Sequence, residues 1–123
     1  MEQYAREDME KAGKSIASMI SRSEKVQVKL KEGSPQASLT RNRLKALRIA
    51  SDLVARELSG EALKENFSRE ELEKAVAPIT STIKKCEKVI ENVKEGSSQE
   101  TLTRNMIEAL YLSLAFITEE LKK

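Results

Sequence analysis

A stretch of twelve residues occurs twice in the chain, and this duplication constrains the fold more than any other feature. Residues 31–42 read Lys-Glu-Gly-Ser-Pro-Gln-Ala-Ser-Leu-Thr-Arg-Asn, and residues 94–105 read Lys-Glu-Gly-Ser-Ser-Gln-Glu-Thr-Leu-Thr-Arg-Asn. The offset of 63 residues continues on both sides, because 24 of the 55 pairs between residues 6–60 and 69–123 are identical. The chain therefore consists of two copies of one unit, and each copy turns at a Gly-Ser pair.

Each copy has the pattern of two helices joined by this turn. The first helix is predicted over about residues 3–31, and its inward residues alternate in spacing between three and four, which places them on one face. They are Met9, Ala12, Ile16, Met19, Ser23, Val26 and Leu30. The third helix repeats this face with Leu72, Ala75, Ile79, Thr82, Cys86, Val89 and Val93. Gly33 and Gly96 are predicted to end these helices, since glycine adopts the left-handed conformation without a Cβ clash.

The second helix is predicted over residues 35–58, with Ser34 as its N-cap and Pro35 in the first position, where a missing N–H costs nothing. Its predicted apolar stripe runs through Leu39, Ala46, Leu47, Ala50, Leu53, Val54 and Leu58.

Ser68 with Glu71 has the spacing of a capping box at the start of the third helix, and Ser97 with Glu100 has it at the start of the fourth, which is predicted over residues 98–122. Pro78 is expected to kink the third helix near Val76.

These elements predict an all-α protein, a four-helix bundle made of two tandemly duplicated antiparallel helical hairpins. Residues 1–123 form one domain, with repeat 1 at 6–60, a linker at 61–67 and repeat 2 at 69–123. Leu63 and Phe67 of the linker are expected to pack against the bundle.

Four Gly and two Pro are too few for the many turns of an all-β fold. No apolar run reaches the length of a membrane span, so no membrane partner is predicted.

The fourth helix has more apolar surface than one bundle needs. Between Met106 and Ile117 only Glu108 and Ser113 are polar, apart from the Tyr111 hydroxyl. A helix that is apolar on nearly every side is buried on nearly every side, which predicts a homo-oligomer formed through this helix. The predicted contact residues are Tyr111, Leu112, Leu114 and Phe116.

The residues offer little for catalysis. The chain has no His, which removes the commonest general base and metal ligand. Cys86 lies at the position equivalent to Ser23 and is interpreted as a small buried residue rather than a nucleophile. The sequence therefore predicts no enzyme, no catalytic residue, no metal and no cofactor. A single Cys and an N-terminus without an apolar signal segment favour the cytoplasm.

The charges are distributed unevenly between the copies. Residues 1–60 carry 12 Lys/Arg and 8 Asp/Glu, whereas residues 61–123 carry 10 and 12. Within residues 22–48 the cations dominate, so the turn of the first hairpin is the basic end of the molecule. A run such as Lys25, Lys29 and Lys31 is also compatible with an ordinary solvated helix face.

Arg43 falls near the centre of the second helix's apolar stripe, where a guanidinium needs an anion, a polar layer or a path to water. Antiparallel pairing is expected to bring it near Ser23 and Gln27. One interpretation is a pocket for an anionic ligand in the first hairpin, with Arg43 as its fork-shaped donor. The other is that Arg43 extends past the bundle end into solvent. The candidate ligand-binding residues are Arg43, Arg41, Asn42, Lys45, Arg22 and Gln27.

The segment Thr-Arg-Asn is identical in both copies, at residues 40–42 and 103–105. It is interpreted either as a structural element that bonds to the turn or as a polar surface that binds phosphate or a base edge.

Residues 31–47, with the pattern Lys-Glu-Gly-Ser-x-Gln-x-x-Leu-x-Arg-Asn-Arg-Leu-Lys-Ala-Leu, resemble small uncharacterised phage and prophage proteins of Gram-positive bacteria. Residues 70–79, Glu-Glu-Leu-Glu-Lys-Ala-Val-Ala-Pro-Ile, share this resemblance. In style such proteins are similar to phage sponges that trap the nucleotide signals of bacterial immunity. The resemblance implies a host that is an infected or lysogenic bacterium, and it transfers no binding residue.

The leading hypothesis is a non-enzymatic binding protein that sequesters a small phosphorylated ligand, such as a nucleotide immune signal, as an anti-defence sponge. The alternative is a protein-interaction module, a phage regulator or inhibitor, that acts through the apolar fourth helix. Direct nucleic-acid binding through the basic end is the less favoured possibility.

Overall fold

The computed structural model describes residues 4–60 and 67–123, and this part of the chain is all-α without a strand. The helices are α1 (Arg6–Gln27), α2 (Pro35–Ser59), α3 (Arg69–Asn92) and α4 (Ser98–Leu121). Successive helices run antiparallel, so the prediction of a four-helix bundle is confirmed. The adjacent pairs are α1 with α2, α2 with α3, α3 with α4 and α4 with α1, and α2 also touches α4 across the diagonal.

The core is assembled from equivalent residues of the two copies. Ile16 and Ile79 are fully buried, and so are the equivalent pairs Leu47 with Leu110 and Val54 with Ile117. Burying an aliphatic side chain of this size contributes roughly 1.5–3 kcal/mol relative to leaving it in water. The inward faces of α1 and α3 that the spacing predicted supply much of this core.

The apolar surface of α4 is accounted for within one chain. α4 lies against α1, α3 and α2, so three of its sides are covered. Of the four predicted contact residues, Leu112 and Phe116 belong to the core, Leu114 is partly buried against it, and Tyr111 is largely exposed, at 48%. The predicted oligomer contact is therefore wrong for Leu112 and Phe116, because both side chains are covered within the chain, and the Phe116 ring meets the Tyr4 ring edge-on with centroids 5.9 Å apart. Self-association itself stays a prediction.

Both hairpin turns differ from the prediction in the same way. α1 ends at Gln27 and continues as a single turn in which Leu30 N donates to Gln27 O at 3.1 Å. Gly33 does adopt the left-handed conformation, with φ of +87°, but it lies in the separate turn closed by Ser34 N and Lys31 O at 3.1 Å. The prediction that helices continue up to Gly33 and Gly96 is wrong, because the last apolar residues before the turns have too little to pack against.

The starts of the helices follow the sequence closely, with one exception. Ser34 Oγ accepts from Ala37 N at 3.2 Å, and Ser68 with Glu71 forms the reciprocal capping box. At α4, Ser97 Oγ accepts from Glu100 N at 3.2 Å, as expected. The Glu100 carboxylate, however, accepts from Gly96 N at 2.9 Å, so the second box reaches one residue further back than predicted.

α3 continues without interruption past Pro78, and the Thr82 hydroxyl donates to the Pro78 carbonyl at 2.8 Å. The kink near Val76 stays a prediction. Phe67 packs partly against the core, as expected, whereas Leu63 and the rest of the linker lie outside the described residues. None of the described helices combines the length and the apolarity that crossing a membrane requires.

Both hairpin turns lie at the same end of the bundle, since α1 and α3 run in the same direction. We call residues 22–41 the first tip and residues 85–104 the second tip. Four predicted core or repeat-equivalent residues near these tips are substantially exposed: Val26, Leu39, Val89 and Leu102. The apolar stripes of the sequence therefore extend further than the core, which stops before the tips.

Candidate functional site

A groove of about 840 Å³ lies between α2 and α3, and we call it the α2/α3 groove. Small and apolar side chains from both helices line it, including Ala46, Ile49, Ala75, Ala77 and Pro78. Polar side chains complete the lining, among them Asn42 and Ser81. The groove joins helices of different copies, because α2 belongs to the first hairpin and α3 to the second.

The charged residues of this groove are mostly cations. Among the described residues they are Arg43, Lys45, Arg48, Lys74 and Lys85, with Glu70 and Glu71 as the carboxylates that line it. Arg48 pairs with Glu24, and Lys74 pairs with Glu70, each at 2.8 Å. In the part of the chain that the structure describes, no carboxylate pairs with Arg43, Lys45 or Lys85. A concave surface with uncompensated charge of one sign attracts ligands of the opposite sign.

The structure divides the six candidate residues of the sequence analysis. Asn42, Arg43 and Lys45 line the α2/α3 groove. Arg41 is exposed on α2 outside this groove, and Arg22 and Gln27 lie on α1. Arg22 instead reaches α4, where its guanidinium donates to Met106 Sδ at 3.5 Å.

Arg43 is half-buried and faces the neighbouring hairpin. It lines the groove with residues of α3, whereas the sequence placed it against Ser23 and Gln27 of α1. That expectation considered only the helix pair within one hairpin. The bundle gives α2 a second neighbour, and Arg43 lies on that side.

Cys86 lies beneath the positive charges of Arg22 and Arg43. Burial raises the pKa of its thiol, and the two guanidinium groups act in the opposite direction. Since burial has the larger effect, the thiol stays protonated and is a poor nucleophile. The interpretation of Cys86 as a buried residue is confirmed.

α3 contributes two cations to the groove that were not predicted from the sequence, Lys74 and Lys85. The duplication contained the signal for Lys85, which is 63 residues after Arg22 and therefore occupies the equivalent position. Arg22 contacts Met106, the equivalent of Arg43, and in the other pair of helices Lys85 and Arg43 line the same groove. Lys85 was not predicted to lie at the site because the prediction paired α2 only with α1 and not with α3.

A second groove, between α1 and α4, is the structural equivalent of the first and has a volume of about 420 Å³. We call it the α1/α4 groove. Asn105 and Ala109 line it at the positions equivalent to Asn42 and Ala46. Its charges are balanced differently, because Glu108 replaces Lys45 and pairs with Lys11 at 4.0 Å.

No family model matches the chain, and neither a curated protein nor a solved structure does. The resemblance to phage proteins therefore stays a prediction.

Proposed function

We propose that the protein binds and sequesters a small phosphorylated ligand in the α2/α3 groove, without converting it. One observation carries this proposal. Arg43, Lys45 and Lys85 line the groove without a carboxylate partner among the described residues, whereas the α1/α4 groove contains the Lys11–Glu108 pair. Cations held together in this way repel one another, and an anion between them removes the repulsion.

Each side chain has a role that follows from its chemistry. The guanidinium of Arg43 can donate two parallel hydrogen bonds to phosphate oxygens. Lys45 and Lys85 supply compact positive charges, and the Asn42 amide both donates and accepts. Ile49 and Pro78 offer apolar surface in the same groove. An anion with a flat, weakly polar part fits this combination, and nucleotides are the class of metabolite that has both parts.

The size of the groove agrees with such a ligand. Pockets for small molecules have volumes of about 300–1,000 Å³ and combine apolar surface with a few polar groups. At about 840 Å³, the α2/α3 groove falls within this range. A nucleotide signal of bacterial immunity, as the resemblance to phage sponges suggests, belongs to the proposed class.

The duplication provides the test variant. The double variant Arg43→Met, Lys45→Glu places in the α2/α3 groove the residues found at the equivalent positions of the other copy, Met106 and Glu108. Since each lost charged hydrogen bond weakens binding by roughly 1.5–3 kcal/mol, we expect affinity to fall by about 100-fold or more. Isothermal titration with a cyclic dinucleotide, ATP and inorganic phosphate measures this.

Lys84→Met is the matched control, because Lys84 is an exposed lysine of α3 that does not line the α2/α3 groove. We expect its affinity to stay within about twofold of the parent, as for a screened surface charge. Equal affinity in the parent and the double variant would rule out this groove as the binding site. Recovery of a chemically altered ligand after incubation would contradict sequestration.

A single-stranded oligonucleotide added to the same titration separates small-ligand binding from nucleic-acid binding. Tight oligonucleotide binding that falls steeply with salt, without binding of mononucleotides or cyclic dinucleotides, would favour a nucleic-acid-binding function. The alternative of a protein-interaction module needs an apolar face on α4, and the burial of Leu112 and Phe116 in the core leaves it without most of that face.

A further inference from the structure

The first tip exposes more apolar surface than the second. Val28 is 83% exposed, the highest value among the large hydrophobic residues that are exposed. Val26 and Leu39, also in the first tip, are 50% and 56% exposed. The position equivalent to Val28 in the second tip is Glu91, a carboxylate that water solvates well.

The same tip also carries the excess positive charge. Residues 22–41 contain five Lys/Arg and two Glu, whereas residues 85–104 contain four Lys/Arg and four Glu. Part of the difference comes from one helix-start position, which is Ala37 in the first tip and Glu100 in the second. Glu100 pairs with Arg104 at 3.3 Å, so the equivalent Arg41 has lost this partner.

Apolar and basic side chains that are exposed on one surface match the chemistry of an anionic lipid interface. Apolar groups enter the boundary between headgroups and acyl chains, while Lys and Arg stay among the negatively charged headgroups. We propose that the first tip docks on an anionic lipid surface, with Val26 and Val28 entering the interface. Lys25, Lys29, Lys31 and Arg41 then contact the headgroups.

The apolar residues decide between lipid and nucleic acid. A phosphate backbone attracts the lysines equally well, but it offers nothing to a valine that is 83% exposed. The expectation of no membrane partner rested on the lack of a spanning segment, which does not bear on docking from one side. The proposal is independent of the ligand in the α2/α3 groove, because neither Val28 nor Lys29 lines that groove.

The test is co-sedimentation with vesicles of equal parts phosphatidylglycerol and phosphatidylcholine, compared with vesicles of phosphatidylcholine alone. We expect binding to the mixed vesicles only. Val28→Glu introduces the residue found in the second tip, and we expect it to weaken this binding by about tenfold or more, since it removes an apolar anchor and one net positive charge. Val28 lies outside the helices, so circular dichroism should show an unchanged fold.

Val89→Glu is the matched control, because it makes the same change at a half-exposed valine of the second tip. Its affinity for mixed vesicles should stay within about twofold of that of the parent, because only the general loss of charge affects it. Val28→Ser separates the two contributions, since it removes only the apolar side chain. We expect it to weaken binding by about threefold or more.

Several outcomes would overturn the proposal. They are an absence of binding to both kinds of vesicle, equal losses in Val28→Glu and Val89→Glu, and full binding by Val28→Ser that salt then abolishes. The last would show a purely electrostatic surface, and preference for an oligonucleotide over the vesicles would assign that surface to nucleic acid. The groove variant Arg43→Met, Lys45→Glu should keep most of its vesicle binding, so the two proposals can fail separately.

Discussion

The α2/α3 groove and the α1/α4 groove are built on the same scaffold but carry different charges. In both grooves, an Asn and an Ala of one helix face a Lys and an Ala of the neighbouring helix. These residues are Asn42, Ala46, Lys74 and Ala75 in the α2/α3 groove. In the α1/α4 groove they are Asn105, Ala109, Lys11 and Ala12. In the α1/α4 groove, Lys11 pairs with Glu108. In the α2/α3 groove the equivalent of Glu108 is Lys45, and Lys74 pairs instead with Glu70 of its own helix.

The two grooves share a scaffold but differ in chemistry. The pair Arg48 with Glu24 connects α2 to α1, and its equivalent is the hydrogen bond from the Tyr111 hydroxyl to Glu87 at 3.1 Å. Both pairs connect two helices, but Tyr111 carries no positive charge where Arg48 does. The comparison shows that the scaffold of a duplicated bundle tolerates either charge balance, and the proposal assigns the cations of the α2/α3 groove to a ligand.

The largest effect on stability is expected from substitutions in the core, where the two copies have equivalent buried residues. Ile16 and Ile79 are equivalent and fully buried. We expect Ile16→Ala and Ile79→Ala to lower the free energy of unfolding by about 3 kcal/mol each, through lost burial and the cavity left behind. Urea denaturation measures both.

Val26→Ala and Val89→Ala serve as controls, because both valines are about half exposed and should cost less than about 1 kcal/mol. A much smaller loss for Ile16→Ala than for Ile79→Ala would break the comparison, since the copies would then differ in their cores and not only in their grooves.

The sequence predicted the parts of the fold that depend on contacts close in the chain. The offset of 63 residues, the spacing of Ile16 and Ile79 on their helices, and the Ser68–Glu71 capping box all concern short segments or repeated ones. The end of α1 was predicted too far along the chain, because Val26 continues the apolar spacing of the helix although the core ends before it.

The candidate site was predicted only in part, because it depends on which helices become neighbours. Asn42, Arg43 and Lys45 stood out by their sequence alone, and all three line the groove. Lys74 and Lys85 did not stand out in this way, since lysines on the outside of a helix are common, and the equivalence of Lys85 to Arg22 becomes informative only once α2 is paired with α3. The burial of Leu112 and Phe116 is likewise a property of the assembled bundle.

A second prediction concerns an ion pair between α2 and α4 that the duplication does not repeat. Arg56 of α2 donates to the Glu120 carboxylate of α4, and Lys123 adds a contact at 2.7 Å. The positions equivalent to Arg56 and Glu120 are Glu119 and Glu57, so the duplication cannot form this Arg–Glu pair twice. Hydrogen bonding from Arg56 is the main reason that the pKa of Glu120 is lowered to about 2.

A carboxylate whose pKa is lower in the folded state stabilises that state above its unfolded pKa, and the contribution disappears as the pH falls through the folded pKa. We expect Glu120→Gln to cost on the order of 2 kcal/mol at neutral pH, with allowance for the partial exposure of the pair. The difference from the parent should shrink between about pH 4.5 and pH 2. Urea unfolding across this range measures it, and a difference that stays constant with pH would contradict the assignment.

The smallest expected effect tests the comparison of the grooves most directly. Lys45→Glu places a carboxylate where Glu108 stands in the α1/α4 groove, within reach of Lys74 as Glu108 is within reach of Lys11. An exposed ion pair contributes little, so we expect the free energy of unfolding to rise by about 0.5 kcal/mol at low salt and by less at high salt. The reverse change, Glu108→Lys, should lower it by a similar amount.

Ligand affinity should move in the opposite direction for Lys45→Glu, because the carboxylate that relieves the repulsion between cations also repels a phosphate. Thermal unfolding with and without a cyclic dinucleotide measures both quantities on one sample. A gain in stability together with a loss of binding would show that the α2/α3 groove keeps its cations at the expense of the fold, as sites under functional constraint do. A gain in stability with unchanged binding would mean that the two grooves differ in charge without differing in function.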